Sequence, residues 1–161
     1  NLRCGRGCSW TFYWQYGAEI TVSWCVIKSG DRLYGIEVDR VLEVLRNAAI
    51  EGVPVSPSGV AGLLNLRGQL VVALDVQQLA EGVSAGDRER VVAVVVSYGG
   101  ESVALCVDSV IDVREISHEE LAPIPSGSGV EDIGRMVTID SERMVIGLDV
   151  DALIKRVGCV L

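Results

Sequence analysis

Gly62-Leu-Leu-Asn-Leu-Arg-Gly-Gln-Leu-Val-Val-Ala-Leu-Asp-Val76 decides the fold of this chain, because its ending is written twice. Leu74-Asp75-Val76 returns as Leu148-Asp149-Val150. Upstream, Val38-Asp39-Arg40-Val41-Leu42-Glu43-Val44 returns as Val107-Asp108-Ser109-Val110-Ile111-Asp112-Val113. The two pairs keep the same order and a similar separation, which marks an internal duplication of one β unit. A duplicated pair of small barrels offers docking surfaces and does not announce an active site.

Working outward, the local patterns are those of short strands. Ile20, Val22, Trp24 and Val26 alternate with more polar residues, Ser29-Gly30-Asp31 is a turn signal, and Leu33 to Val38 returns to complete a hairpin. Val41 to Leu45 reads as a further short strand or an irregular extension. Pro54, Ser56 and Pro57 break the pattern, and Ser56 with Pro57 behind it could cap a short helical turn. After the apolar strand Leu70 to Leu74, Asp75 stands at an N-cap position with Gln78 three residues on, and a short helix should end near Gly82. Val83 to Glu89 is a surface loop between the halves. The second half then repeats the plan, with Val91 to Val96 and Val103 to Val107 joined through Gly99-Gly100. Ser117 and Glu120 form a capping box, and Pro123 to Gly129 is a loop. Met136 to Ile139 and Met144 to Leu148 make a hairpin turning at Asp140-Ser141-Glu142, and Asp149 caps a terminal helix through about Arg156. Many short strands with regular turns, and no long capped helices, indicate an all-β barrel architecture.

Bulk properties restrict the function. At 161 residues, 49% of them hydrophobic, the chain is one domain or two small lobes sharing a core. A net charge of −8 argues against nucleic acid and anionic membrane as partners. No apolar run approaches the ~20 residues of a membrane span, and no signal-peptide pattern is present. The cysteines, Cys4, Cys8, Cys25, Cys106 and Cys159, are odd in number and irregular in spacing, which suggests buried thiols in a reducing cytoplasm. Cys4 and Cys8 make at most half a metal site, and no cofactor motif is present. Residues 1–17, with Trp10, Phe12, Tyr13, Trp14 and Tyr16, differ in composition from the rest. They read either as a foreign or preceding segment or as an aromatic anchor for a partner.

Catalysis finds little support. His118, the single histidine, lies beside Ser117, Glu119 and Glu120 in what reads as a surface cap. Asp75 and Asp149 resemble a carboxylate pair, but each precedes a helix start, where accepting backbone N–H groups is the simpler role. A ligand-binding double barrel or small hydrolase would need a polar pocket around one of these aspartates. Glu43 and Arg67 are isolated charges in apolar stretches, which are costly unless paired or exposed for contact. They read either as an ion pair with each other or as simple surface placement, or else Arg67 presents its guanidinium to a partner.

The segment Gly62 to Gly68, the Val-rich strand after it, Leu74-Asp75-Val76, and the Val41-Leu42-Glu43-Val44 element together resemble the CheW-like domain family of bacterial chemotaxis. Val107 to Val110 adds to the resemblance, which covers roughly residues 19–157. It implies two small five-stranded, SH3-like β-barrel subdomains within 18–161, with a boundary near 83–90 and short helices including a C-terminal one. It also implies a cytoplasmic, non-enzymatic adaptor without cofactors or metals. The partners would be the regulatory domain of the histidine autokinase CheA and the cytoplasmic tips of methyl-accepting chemoreceptors. Carried over by motif, Val41, Glu43, Gly62 and Arg67 fall near protein contacts. The chain departs from the family pattern at Val72-Ala73, where proline is usual, at Gln77, where arginine is common, and at Ala104, where glycine is common. A CheW-like module of a larger signalling protein fits the same residues: a kinase regulatory domain, a receiver-fused adaptor, or part of a pilus-motility system.

Overall fold

The computed structural model describes residues 21–84, 86, 90–140 and 142–157. The aromatic start, Ile20, Cys4, Cys8, Cys159, Ser141 and part of the 83–89 loop lie outside the described residues.

A tight hairpin begins the fold. β1 (Thr21–Ser29) and β2 (Arg32–Glu37) pair around Gly30-Asp31, where Gly30 takes φ 61. After a 3-10 turn at Val38–Arg40 come β3 (Val41–Glu51), β4 (Val60–Leu66), β5 (Gln69–Asp75) and α1 (Val76–Glu81). The second repeat follows as β6 (Arg90–Tyr98), β7 (Glu101–Val107), β8 (Ser109–Ser117), a 3-10 turn at His118–Glu120, β9 (Ala122–Pro123), β10 (Gly134–Asp140), β11 (Arg143–Leu148) and α2 (Val150–Ile154).

The molecule is mostly β, with one closed five-stranded barrel, β3-β4-β5-β7-β6, and one six-stranded sheet, β8-β1-β2-β11-β10-β9. The duplication shows in the pairing. β3-β6-β7-β5-β4 around the barrel has the same order as β8-β1-β2-β11-β10 across the sheet. Each repeat's opening hairpin therefore completes the sheet of the other repeat. The passage between repeats, 83–90, falls within the span of the barrel, which runs unbroken from Val41 to Val107. The sheet is assembled from what precedes and follows that span. In the barrel, β3 reaches β4 through Ile50↔Leu64 and Glu51↔Leu63. In the sheet, the 3-10 turn interrupts the corresponding strand, and β9 makes the equivalent contact through Ala122↔Val137 and Pro123↔Met136.

The interior has three parts. A central core between the two sheets contains Ile27, Tyr34, Ile36, Leu74, Leu79, Val94, Leu105, Ile146 and Leu153, so α1 and α2 are packed into it. Inside the barrel lie small side chains, Ala48, Ala73, Ala93 and Ala104, with Leu64, Val71, Val95 and Cys106. Inside the other sheet, Trp24 fills the middle among Val26, Leu33, Ile116 and Val145. Aligning the hairpins by their turns places Trp24 opposite Ala93 in the repeat, Gly35 opposite Ala104, and Gly147 opposite Ala73. A Cβ on Gly35 would lie 2.4 Å from the indole, and one on Gly147 2.3 Å from it. One tryptophan lying on two glycines thus does the filling that three alanines do in the barrel. Ala104 carries its methyl group at the place of Gly35, where the barrel has no indole to fit.

Local expectations fared unevenly. Both aspartate caps are present: Asp75 Oδ1 accepts the Gln78 N–H at 3.3 Å, and Asp149 Oδ1 accepts the Ala152 N–H at 3.2 Å. The Ser117–Glu120 capping box is formed around the His118 turn. Ser56 and Pro57, however, do not start a helix. Gly59 at φ 94 closes a β-turn in which Val60 N–H donates to Pro57 O at 3.1 Å, sending the chain directly into β4. The short strand expected over Val41 to Leu45 runs on to Glu51, because register shifts at Val41/Glu43 and Leu45/Ala48 bend it around the barrel. The terminal helix stops at Ile154. Arg156 turns back instead, donating to the Leu79 and Ala80 carbonyls and to Asp132.

Candidate protein-docking site

The β4–β5 hairpin closes with Leu66 opposite Gln69, leaving Arg67 and Gly68 as the turn. Both have positive φ, 51 and 86, the geometry of a type I′ turn whose twist matches the flanking strands. Glycine adopts it freely. An arginine in the left-handed region costs roughly 1–2 kcal/mol. Two contacts accompany that strained backbone. Asn65 Oδ1 accepts the Gly68 N–H at 2.9 Å, and Glu43 Oε1 accepts from Arg67 Nη2 at 2.8 Å.

The Arg67–Glu43 pair is not buried: the side chains are 77% and 27% exposed. Such a pair contributes about 0.2–1 kcal/mol, too little to offset the turn strain reliably or to anchor the fold. Its effect is directional. It ties the hairpin tip to β3 beside the bulge at Val41/Glu43 and fixes where the guanidinium points. The ion pair read from sequence is present, and it lies at the surface with Arg67 exposed.

The other two candidates are placed differently. Val41 packs half-buried against the central core. Gly62 is buried in the barrel wall, where a Cβ would meet the Glu51 carbonyl oxygen at 2.1 Å. Barrel closure by β3 over β4 therefore requires a glycine there.

Sequence reasoning missed the apolar residues around the tip. Leu42 is 57% exposed beside Glu43, Leu70 is 72% exposed next to the turn, and Val72 continues the outward row of β5. The signal was the unbroken apolar run Leu70 to Leu74. A strand with one face in a barrel and the other in water alternates; here the second row carries Leu74 into the central core and leaves Leu70 and Val72 exposed.

Asp75 also lines an open cleft of about 440 Å³ with Ser29, Gln78, Cys106 and Asp108. In the repeat the corresponding space is filled by Arg135, which reaches Glu37 at 3.1 Å and Asp149 at 3.5 Å. Ala61 and Cys106 stand where Arg135 and Glu37 do in the repeat. The cleft is thus explained by two smaller side chains. Among the described residues no group of three or more His, Cys, Asp or Glu side chains could hold a metal ion, and no helix is long and apolar enough to cross a membrane.

Residues 23–158 match the CheW-like domain family. The chemotaxis protein CheW of Klebsiella aerogenes is 27% identical over 142 residues, covering 86% of this chain and 84% of that protein. Protein FrzA of Myxococcus xanthus is 35% identical over 101 residues, 61% of each chain. The crystal structure of the scaffolding protein TtCheW from Thermoanaerobacter tengcongensis superimposes with a TM-score of 0.73 at 22% identity, covering 86% of this chain and 90% of that one, a likeness of fold. With the duplicated strand order, the arginine hairpin and a match over most of its length, the chain belongs to the CheW-like domain family.

Proposed function

We propose that this protein is a cytoplasmic, non-enzymatic adaptor that couples a CheA-type histidine autokinase to the cytoplasmic tips of methyl-accepting chemoreceptors. Its family and its similarity to chemotaxis proteins named CheW support the pathway. The observation that carries the contact is the exposed guanidinium of Arg67, held by Glu43, with Leu42 next to Glu43 in the chain and Leu70 on the same hairpin also exposed. A hydrogen-bonding cation beside exposed aliphatic side chains has the make-up of an interface hot spot. In this reading Glu43 and Arg67 touch the partner, while Val41 and Gly62 shape the site from beneath. No group transfer is needed: the adaptor acts by binding different states of kinase and receptor with different affinity.

Calorimetric titration with a cognate CheA-type regulatory domain, and separately with a receptor-tip fragment, tests the proposal. Micromolar or tighter binding to both is expected. Arg67→Glu should weaken partner binding by more than about 2 kcal/mol and leave the melting temperature nearly unchanged, because the ion pair it removes is exposed. Binding of the folded protein to neither fragment would refute the coupling role. A large fall in melting temperature for the variant would instead make Arg67 a structural residue.

A further inference from the structure

We infer that Asn65 is the positioning residue for Arg67, and that the conformation of the hairpin tip, not the arginine alone, determines recognition. This rests on the docking reading of Arg67. Because both turn residues have positive φ, this hairpin conformation suits Gly68 and disfavours Arg67. The Asn65 side chain accepts the Gly68 N–H at 2.9 Å from the strand position just before the turn. It thereby holds the peptide that follows Arg67 in the one conformation that directs the guanidinium toward Glu43. Asn65 is exposed, so packing does not explain its presence.

The second repeat supplies an internal comparison. At the tip of β10–β11, Ile139 pairs with Met144 where Asn65 pairs with Leu70. The sequence there has Ser141 in place of Arg67 and Asp112 in place of Glu43. The asparagine, the arginine and its longer carboxylate partner occur together in one repeat and are replaced together in the other. That joint replacement is expected if the three form one device, and is not required by a hairpin, since both repeats make one.

The test is a double-mutant cycle on the full chain, read by titration with a receptor-tip fragment. Asn65→Ala should lower affinity about fivefold or more, and Asn65→Asp, which keeps the acceptor oxygen, should restore it to within about twofold. In an Arg67→Ala background, Asn65→Ala should have no further effect. Equal losses in both backgrounds, or an unchanged affinity for Asn65→Ala where Arg67→Ala weakens binding, would overturn the inference. A partner-free reading separates it from the docking proposal: amide exchange at Gly68 should accelerate about tenfold or more in Asn65→Ala, with Val71 unaffected. If Arg67→Ala leaves binding intact, the docking reading fails, and the exchange rate at Gly68 still decides whether Asn65 holds the tip. An unaltered rate would show that it does not.

Discussion

Trp24 and its two glycines are the clearest case of residues chosen for one another. The indole lies against Gly35 and Gly147 on neighbouring strands, and neither position has space for a methyl group. Gly147→Ala should therefore destabilise the protein by about 1–3 kcal/mol through overpacking. Trp24→Ala should cost about 3–5 kcal/mol by leaving a cavity. Combined in one chain, the two losses should fall short of their sum, because the added methyl group enters the space the indole left. Urea unfolding of the two single variants and the double variant measures this, and strict additivity would mean that the residues do not share that space. At this scale the sequence was informative about charge and silent about contact. Glu43 and Arg67 stood out because each interrupts an apolar run. The demand for glycine at position 62 was invisible, since it is set by the carbonyl of Glu51 on another strand.

At the scale of elements, the readable features are those closed within a few residues. The Asp75 and Asp149 caps depend on an N–H three residues away, so sequence spacing alone reveals them. The length of β3 is set by β6, and the end of α2 by the contact of Arg156 with α1, and neither partner is near in sequence. At Asp149 the cap and the charge can be separated, because the carboxylate also takes Arg135 at 3.5 Å. Asp149→Asn keeps an acceptor for the Ala152 N–H and should cost well under 1 kcal/mol. Asp149→Ala should cost about 1–2 kcal/mol, with the same measurement by chemical unfolding. If the two variants were equally destabilised, the charge on Asp149 and not its cap would be what matters.

For the whole molecule, the link between sheet and helix at Tyr34 predicts how stability depends on pH. Burial, and next the Glu81 carboxylate whose Oε1 is 3.5 Å from the hydroxyl, push the Tyr34 phenol up to about 12 from its ordinary 10.0. The folded state thus holds this proton more tightly than the unfolded chain. The contribution is present in full below pH 10 and is lost as pH rises toward 12. Burial shifts the Cys25 thiol in the same direction. Tyr34→Phe should flatten the alkaline fall in stability between those values, as followed by unfolding midpoints across pH. A fall as steep as that of the parent would assign it to other groups. On the acid side, the hydrogen bond from Arg156 holds Asp132 below the carboxylate range, and the one from Arg40 does the same for Asp151. Their contribution is present above about pH 4 and disappears as pH falls further. The duplication was legible at this scale because it is written in the residues. The exchange of hairpins between repeats was not, because nothing in a strand's own pattern names its partner.

That exchange also sets an order of assembly during synthesis. The barrel, Val41 to Val107, is a continuous stretch and can close once β7 has left the ribosome. The β1–β2 hairpin is made first, yet in its sheet it waits for β8, and for β11, to which β2 pairs in parallel through Tyr34↔Ile146. At about 5–20 residues per second, that interval is on the order of seconds. During it Trp24 lacks its neighbours Ile116 and Val145, so a hairpin made before the barrel is covered after it.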